Sequence, residues 1–461
     1  MPSLSLRSLY DEEVRRAARI LSFLGALVVV LGLSKVHAAY VADPPYDFTG
    51  SFRFAWALSY VLLLSIGSYG VGLPDLPRSS KDAFVGAMGS AVIAGVAISV
   101  VQLVVGNALL PRFVVFGSVV LLVPWNVALA ALARTGRARD ADRDRVVLVG
   151  SSEDLDRLLN DLKLEPEKAA SLVGHLSPDE ASSPAGTHPL EDLAVSRNAS
   201  VVVLDRVSLA MDSVVDQAAV LHESGIRVRT LVQFYEEWLG KLPVSELERA
   251  SLFFDISEIH RARYGRVKRL MDVAIGMVGL VPLLLVVPLV TIGNLIGNRG
   301  MLIYRQPRVG RGGEAFSILK FRTMREVSSS DAEIAEGSWT AVDDPRVTPF
   351  GKFMRATHID ELPQMINIVK GELSLVGPRP EQPRYVAELT ETLPFYSMRH
   401  LVRPGLTGWA QVKYGYAGDQ QDALEKLQYE FFYLRNQSLR FDTRVMARTA
   451  RSVLGSEGAG R

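Results

Sequence analysis

Four apolar runs crowd the first 134 residues and constrain the fold more than any other feature: Ile20 to Ser34, continuing through Lys35 toward Val41, then Phe54 to Leu73, Ala83 to Gly106 and Leu109 to Ala133. Most approach the roughly 20 residues that span a hydrocarbon core as a helix, and the first, being short, relies on snorkelling flanks. Arg15, Arg16 and Arg19 precede the first run, and Arg134, Arg137, Arg139, Arg143 and Arg145 follow the fourth, whereas the loop around Pro44 to Ser51 has no basic residue. The positive-inside rule then puts both ends in the cytoplasm, as four spans require and three or five would not. Gly86, Gly89 and Gly95 suit close helix packing in lipid. A cleaved signal peptide is disfavoured, because acidic as well as basic residues precede the first run and more long runs follow. The competing reading is a helical hairpin buried in soluble protein.

Hydrophobic residues make up 48% of the chain, concentrated in these blocks, and the absence of cysteine excludes disulfides and any thiolate ligand or nucleophile. A formal net charge of +1 gives no basic footprint for nucleic acid. A fifth run, Val273 to Gly297, is also long enough to span, but both flanks are basic: Arg261, Arg263, Arg266, Lys268 and Arg269 before it, Arg299, Arg305, Arg308 and Arg311 after it. A crossing would strand one cluster on the outer face. Pro282 and Pro288 lie inside the run, where each removes a hydrogen bond and kinks the chain. A re-entrant helix, entering and leaving the same leaflet with its basic flanks on anionic headgroups, answers both observations; a kinked fifth span is the alternative.

Between these membrane segments, Val146 to Gly150, Ser171 to His175, Val201 to Asp205 and Ile226 to Leu231 read as strands, with helices over Glu153 to Leu162 and Met211 to Ser224. Strands alternating with helices imply a doubly wound parallel sheet. Gly150 is followed by Ser152 and Leu155 where a dinucleotide fingerprint needs glycines, so the module reads as regulatory or dimerising, with a homodimer one arrangement this permits, rather than cofactor-binding. Leu176 to His188 is a flexible surface loop by composition.

The chemistry concentrates in Thr348 to Pro380. Asp360 and Glu361 precede Leu362, Met365, Ile366 and Val369, which repeat at helical spacing up to a stop at Gly371. A helix start favours an anionic carboxylate and can hold phosphate, so Asp360 is expected as an ionised nucleophile beside an anion site. Lys352, Arg355 and Arg379 surround the pair in sequence; Lys320 and Arg322 end an expected strand over Phe316 to Met324, and Arg403 lies in a Gly- and Pro-rich segment through Gly415 with Trp409 and Gln411. Ser328 to Val342 reads as a loop. The plain alternative makes Asp360 an ordinary N-cap, Glu361 a first-turn acid and the cations solvated surface charges.

The ordered series Lys320 to Met324 (KFRTM), Asp343 to Pro380 (DDPRVTPFGKFMRATHIDELPQMINIVKGELSLVGPRP) and Arg403 to Val412 (RPGLTGWAQV) resembles the bacterial sugar transferase family, the monotopic polyprenyl-phosphate phosphoglycosyl transferases, over about Arg266 to Leu454. The resemblance implies a membrane protein of α plus α/β class. It would comprise a four-span transmembrane anchor (1–140), a Rossmann-like parallel-sheet module (141–260) and a catalytic domain with a re-entrant helix (261–461). It also implies transfer of a hexose 1-phosphate from a UDP-sugar to undecaprenyl phosphate, opening exopolysaccharide, capsule or O-antigen synthesis. Asp360 would be the nucleophile and Glu361 its partner, both placed to meet Mg2+, with UMP released. Phosphate binding would fall to Arg355, Arg379 and Lys320, joined by Arg322 and Arg403. The family commonly breaks its re-entrant helix at Ser-Pro, whereas here Leu284 and Leu285 stand near that place, between Pro282 and Pro288. Two readings of other classes stay open: a non-catalytic membrane receptor or scaffold with a ligand-binding α/β module, and a glycosyltransferase that moves sugar without phosphate.

Overall fold

The computed structural model describes residues 3–73, 80–105, 110–133, 143–164, 167–182, 187–243, 258–298, 300–325, 346–414 and 420–454. The expected loop Ser328 to Val342 and the bases Arg134, Arg137, Arg139 and Arg299 lie outside the described residues. Two compact units emerge: Met1–Thr135 with Ile259–Ala423 and Gln437–Arg461, and Gly136–Glu258 with Leu424–Asn436. The last of these segments lies within the range expected for the C-terminal domain.

In the first unit, helices α1 (Ser3–Val36), α2 (Phe52–Gly70), α3 (Ser80–Val105) and α4 (Arg112–Ala133) form a bundle around Val30, Tyr60, Ala87 and Val114. A π-turn, His37–Val41, extends α1. The bundle's outer face is apolar too, with Val28 69%, Phe116 68% and Val120 69% exposed, as lipid rather than water demands. By length and composition four described helices could cross a membrane: Arg16–Val41, Phe52–Tyr69, Arg112–Leu132 and Tyr264–Gly297; the apolar part of α3, Ala83–Ser99, is shorter.

The second unit is a parallel sheet of β1 (Asp144–Val149), β2 (Ala170–Leu176), β3 (Val201–Leu204) and β4 (Arg227–Thr230) in the order β2-β1-β3-β4. All four expected strands and both expected helices, α5 (Ser152–Asp161) and α8 (Asp212–Glu223), are present. The short helices α6 (Pro178–Ala181) and α7 (Pro189–Ser196) lie between β2 and β3, α6 replacing part of the expected loop with a turn closed by a Ser177–Glu180 capping box. Strand order reverses between β1 and β3, but a Cβ on Gly150 there would stand 3.3 Å from Asp205 Cβ and 3.6 Å from an Asp154 carboxylate oxygen. Two carboxylates in that crevice oppose a pyrophosphate, in keeping with the missing glycines. Lys241, 1% exposed, is held by Asp161 at 2.6 Å and Glu425 at 2.9 Å, which fastens the segment Leu424–Asn436 to the sheet.

After α9 (Leu231–Phe234) the chain reaches α10 (Glu258–Gly297), a single 40-residue helix in the first unit with Pro282 and Pro288 inside it. No helix break appears near Leu284 and Leu285: a proline forfeits one hydrogen bond and pushes a carbonyl aside, which bends a helix without ending it. One face of α10 is notched by glycine, so that Gly276 receives Ile368 and Val369, Gly279 receives Met365, and Gly293 with Gly297 brackets Phe350. Between the notches Leu283 and Val290 are buried with Phe321 and Met354, and Ile359, Leu362 and Ile366 pack on the same cluster. The opposite face, with Leu284 70%, Leu289 68% and Ile296 75% exposed, has no polar side to offer water. Alongside lie the hairpin β5 (Ile303–Val309) and β6 (Ala315–Phe321), then α11 (Pro349–Ala356), α12 (Gln364–Lys370), β7 (Ser374–Val376) and α13 (Pro383–Thr392). β8 (Gly405–Thr407) pairs with β7 in parallel, followed by α14 (Trp409–Lys413) and α15 (Gln420–Arg435).

Helix α16 (Leu439–Leu454) closes the first unit. Asp442, fully buried, accepts from Tyr264 at 2.7 Å and Lys268 at 2.8 Å on α10; Phe441 meets Trp409 edge-on at 4.9 Å; and Arg440 donates to the Tyr69 hydroxyl on α2 at 2.7 Å. Replacing Gly293 by Leu should evict Phe350 from its notch and destabilise the protein by about 1–3 kcal/mol. Leu284→Ala, on the exposed face, should shift the thermal midpoint in detergent far less; equal losses from the two would mean that the packed face of α10 has been misassigned.

Candidate active site

Each side of the dyad is fixed by an identifiable local device. Thr348 caps α11 by accepting from Gly351 N–H at 2.9 Å, with Pro349 at the first helical position. A Cβ on Gly351 would lie 1.9 Å from the Thr323 carbonyl oxygen, so glycine alone lets α11 meet the end of β6. That contact brings the Thr323 hydroxyl to Arg355 Nε at 3.0 Å. Asn298, just past α10, donates to the Arg322 carbonyl at 2.6 Å and accepts from the Thr348 hydroxyl. After α11 the chain reverses at His358, whose φ of 55° is left-handed, and enters one 3-10 turn, Ile359–Glu361.

The dyad therefore lies in that turn and not at the helix start: Pro363 is the N-cap of α12, which has only 7 residues. Ile359 and Leu362 on either side of the pair anchor it to the α10 cluster. Asn367, 1% exposed, accepts from Leu319 N–H at 3.0 Å and donates to the Ser317 carbonyl at 2.8 Å, bolting α12 to β6 beside Lys320. Lys320 in turn reaches Glu361 at 2.7 Å. Arg269 donates to the last carbonyls of α12, Ile368 and Val369, both at 2.6 Å, and Gly371 ends the helix at φ 93°.

The Gly-Pro-Arg-Pro turn is held through its backbone. Gly377 N–H donates to the Thr407 carbonyl at 2.9 Å and Gly405 N–H to the Pro378 carbonyl at 2.8 Å, an approach so close that a Cβ on Gly405 would be 2.1 Å from Gly377 N. Arg399, 4% exposed, donates to the Arg379 carbonyl at 2.7 Å.

Burial pushes the Asp360 carboxyl up to about 6, and the charge of Glu361 adds to the rise, while Lys320, Arg355 and His358 pull it partly back. Glu361 goes the other way. Burial would raise it too, but the charges of Lys320 and Arg379, with the Lys320 hydrogen bond, outweigh that and hold it at about 2. Two adjacent carboxylates are thus driven apart by their surroundings. Among the described residues no hydrogen bond or ion pair reaches the Asp360 carboxylate, which is 8% exposed. A dehydrated carboxylate with its lone pairs uncommitted is equipped to attack an electrophile.

The family described as Bacterial sugar transferase matches residues 263–456, a range that contains every residue of this site. A UDP-glucose:undecaprenyl-phosphate glucose-1-phosphate transferase of Caulobacter vibrioides is 37% identical over 199 residues, covering 42% of this chain and 71% of that protein. The chain belongs to the bacterial sugar transferase family. It is also similar to a UDP-N-acetylgalactosamine-undecaprenyl-phosphate N-acetylgalactosaminephosphotransferase of Aeromonas hydrophila, at 38% over 236 residues. That match covers 51% of this chain and about half, 54%, of the relative. A UDP-glucose:undecaprenyl-phosphate glucose-1-phosphate transferase of Xanthomonas campestris pv. campestris is 29% identical over 369 residues, 74% of this chain and 73% of that protein, so the likeness extends beyond the family segment.

Of the residues that sequence points to in this sugar transferase, Asp360, Glu361, Lys320, Arg355 and Arg379 act on one another. Arg322 and Arg403 each give their Nε–H to backbone, to the Met301 carbonyl at 2.9 Å and the Gly371 carbonyl at 2.9 Å. Burial lowers Arg403, and the neighbouring charge of Arg269 lowers it further, placing it with the helix-end cations. The expectation that a helix start eases ionisation of Asp360 is corrected by the same geometry: the turn precedes the helix, and burial wins. His358, Asn298, Asn367, Arg269 and Arg399 escaped sequence reading, and only Asn367, a polar residue inside the apolar run Met365 to Val369, carried a visible signal.

Because Asp360 binds its proton more tightly folded than unfolded, its own contribution to stability falls as pH rises from about 4 to about 6 and then stays unfavourable. Asp360→Asn should therefore stabilise the protein at pH 7.5, by on the order of 2 kcal/mol, and gain little at pH 4. Thermal unfolding of both proteins across that range checks it; an Asn variant less stable than wild type at pH 7.5 would contradict the burial argument.

Proposed function

We propose that this protein transfers a sugar 1-phosphate from a UDP-sugar to undecaprenyl phosphate through an aspartyl-phosphosugar intermediate, releasing UMP and beginning a surface polysaccharide such as exopolysaccharide, capsule or O-antigen. The observation that carries the reading is the buried, uncommitted Asp360 carboxylate beside a Glu361 already neutralised by Lys320. An Asp360 oxygen attacks the β-phosphorus of the donor, the bond to the α-phosphate oxygen breaks, and UMP departs with the electron pair. A phosphate oxygen of the lipid acceptor then attacks the same phosphorus and the Asp360 carboxylate leaves, regenerated. Splitting one displacement into two lets donor and acceptor use the site in turn. Arg355, Arg379 and Lys320 border the pair and offset the charge of the diphosphate as it gathers. Glu361, held anionic by Lys320 and Arg379, keeps Lys320 in place beside the pair.

The donor set also fits Mg2+. Among the described residues no group of three or more His, Asp or Glu side chains gathers, yet this ion ordinarily takes one or two carboxylates and completes its shell with phosphate oxygens and water. Asp360 and the Glu361 oxygen not engaged by Lys320 would hold it. Bound there, it would supply charge neutralisation of the diphosphate.

The same reading makes α10 re-entrant at the cytoplasmic face of the inner membrane. Arg269 and Asp272 near one end and Asn294 and Asn298 at the other all bind partners in one fold: Ile368 and Val369, Ser374, Gly300, and Arg322. A helix that crossed the roughly 30 Å of hydrocarbon would drag that fold into lipid. Entering and returning keeps the fold in water and the exposed Leu284 face in acyl chains. The dyad then lies where a membrane phosphate and a soluble nucleotide both arrive. The α/β unit, whose crevice carries Asp154 and Asp205, is assigned to regulation or homodimer formation.

Detergent-solubilised protein given a panel of UDP-sugars and polyprenyl phosphate should yield UMP; UDP instead would mean glycosyl transfer, and neither would return the chain to the receptor reading. Asp360→Asn should abolish both UMP release and the covalent adduct, at least about a 10³-fold loss if the carboxylate is the nucleophile. Wild-type rate should climb with pH through about 6 as Asp360 loses its proton. Lys320→Met removes a charge that favours the carboxylate, so its limb should move to higher pH; an unmoved limb would detach that titration from Asp360.

A further inference from the structure

The four-helix bundle holds a partly polar cavity of about 120 Å³, remote in sequence from the dyad. Every helix contributes to it: Arg19 and Ser22 from α1, Ser65 and Ser68 from α2, Ser90 from α3 and Asn126 from α4. The remaining lining is mostly alkyl and aromatic, and among the described residues it includes no carboxylate. We propose that this cavity binds the phosphate headgroup of a lipid, as a site separate from the catalytic one.

The donors decide the ligand class. Asn126 is 6% exposed, and its amide oxygen is taken by the Ser22 hydroxyl at 2.7 Å. Among the described residues its amide nitrogen has no hydrogen-bond acceptor, so two N–H groups face the cavity inside an apolar bundle. An amide left that way costs several kcal/mol in hydrocarbon, and polar side chains retained at that depth mark ligand paths. Ser65 and Ser90 give their own protons to the Val61 and Ala87 carbonyls at 2.7 and 3.0 Å and so take no share of those donors. Arg19, exposed, brings a positive charge to the lining. Amide and guanidinium donors with no carboxylate among them suit an anion, and the apolar remainder suits the first carbons of a chain attached to it. Next to Ser68, Tyr69, which also lines the cavity, accepts from Arg440 of α16 at 2.7 Å, so the cavity lies beside the contact between α2 and that helix.

The test uses full-length protein in detergent, incubated in turn with dioleoyl phosphatidic acid, a C55 polyprenyl phosphate and dioleoyl phosphatidylcholine, with retained lipid counted by native mass spectrometry. Phosphatidic acid, which is no substrate of the dyad, should be retained about tenfold more tightly than phosphatidylcholine. Retention of polyprenyl phosphate as well assigns recognition to the headgroup; retention of polyprenyl phosphate alone is acceptor binding at the dyad and overturns the proposal. Asn126→Leu, which keeps the bundle apolar, should erase the preference, and Asp360→Asn should keep it. Because an Asn126 variant could misfold, a photoreactive phosphatidic acid is also crosslinked to wild-type protein, with adducts expected on peptides bearing Ser22, Ser68, Ser90 or Asn126. Equal retention of phosphatidylcholine, a preference that survives in folded Asn126→Leu or vanishes in Asp360→Asn, or crosslinks confined to other peptides would each overturn the proposal.

Discussion

The packing of α10 along the catalytic fold is the contact on which the remaining structure depends. A 40-residue apolar helix has to place one face somewhere other than lipid if it is to hold anything, and glycine notches let Met365, Ile368 and Phe350 approach its axis. Ile359 and Leu362 are part of the same cluster, so the 3-10 turn bearing Asp360 and Glu361 is seated on the membrane helix itself. Polar anchors confirm the register: Asp272, fully buried, accepts from the Ser374 hydroxyl at 2.8 Å and from Leu375 N–H at 3.1 Å. Dispersion supplies the area and these few hydrogen bonds supply direction.

The electrostatics follow from that seating. A turn pressed against an apolar cluster is short of water, and two neighbouring carboxylates cannot both ionise cheaply there. Lys320 resolves the conflict by direct contact with Glu361, and Asp360 is left with a raised proton affinity and no hydrogen bond among the described residues. A carboxylate neutralised by its own partner would be a poor nucleophile; one kept apart from the nearest lysine retains its basicity. The arrangement costs stability at one side chain once Asp360 loses its proton.

Much of this was legible before any coordinates. The apolar runs announced the bundle, the alternation from Val146 to Leu231 announced the parallel sheet, and the crowding of cations about Asp360 and Glu361 singled out the candidate site. What stayed hidden depends on three-dimensional neighbours. Arg322 and Arg403 read as phosphate ligands in a list of arginines, and only the fold reveals that each also gives its Nε–H to a carbonyl, of Met301 and Gly371. The proline pair looks like a break, yet helical bonding on both sides carries α10 through it. Asp360 looks like a helix-start residue because a single 3-10 turn before a short helix has the same apolar spacing as the helix. Helix α16 was missed altogether, since its ties to Tyr69, Tyr264 and Trp409 connect residues far apart in the chain.

That helix has a bearing on biosynthesis. The bundle, ending at Ala133, leaves the ribosome about 300 residues ahead of Leu439, an interval of roughly 15 to 60 s at about 5–20 residues per second. Through that interval the inserted bundle lacks the strut that ties it, through Arg440, to the α10 fold. The nascent membrane bundle must hold its shape by its own packing until translation delivers the clasp.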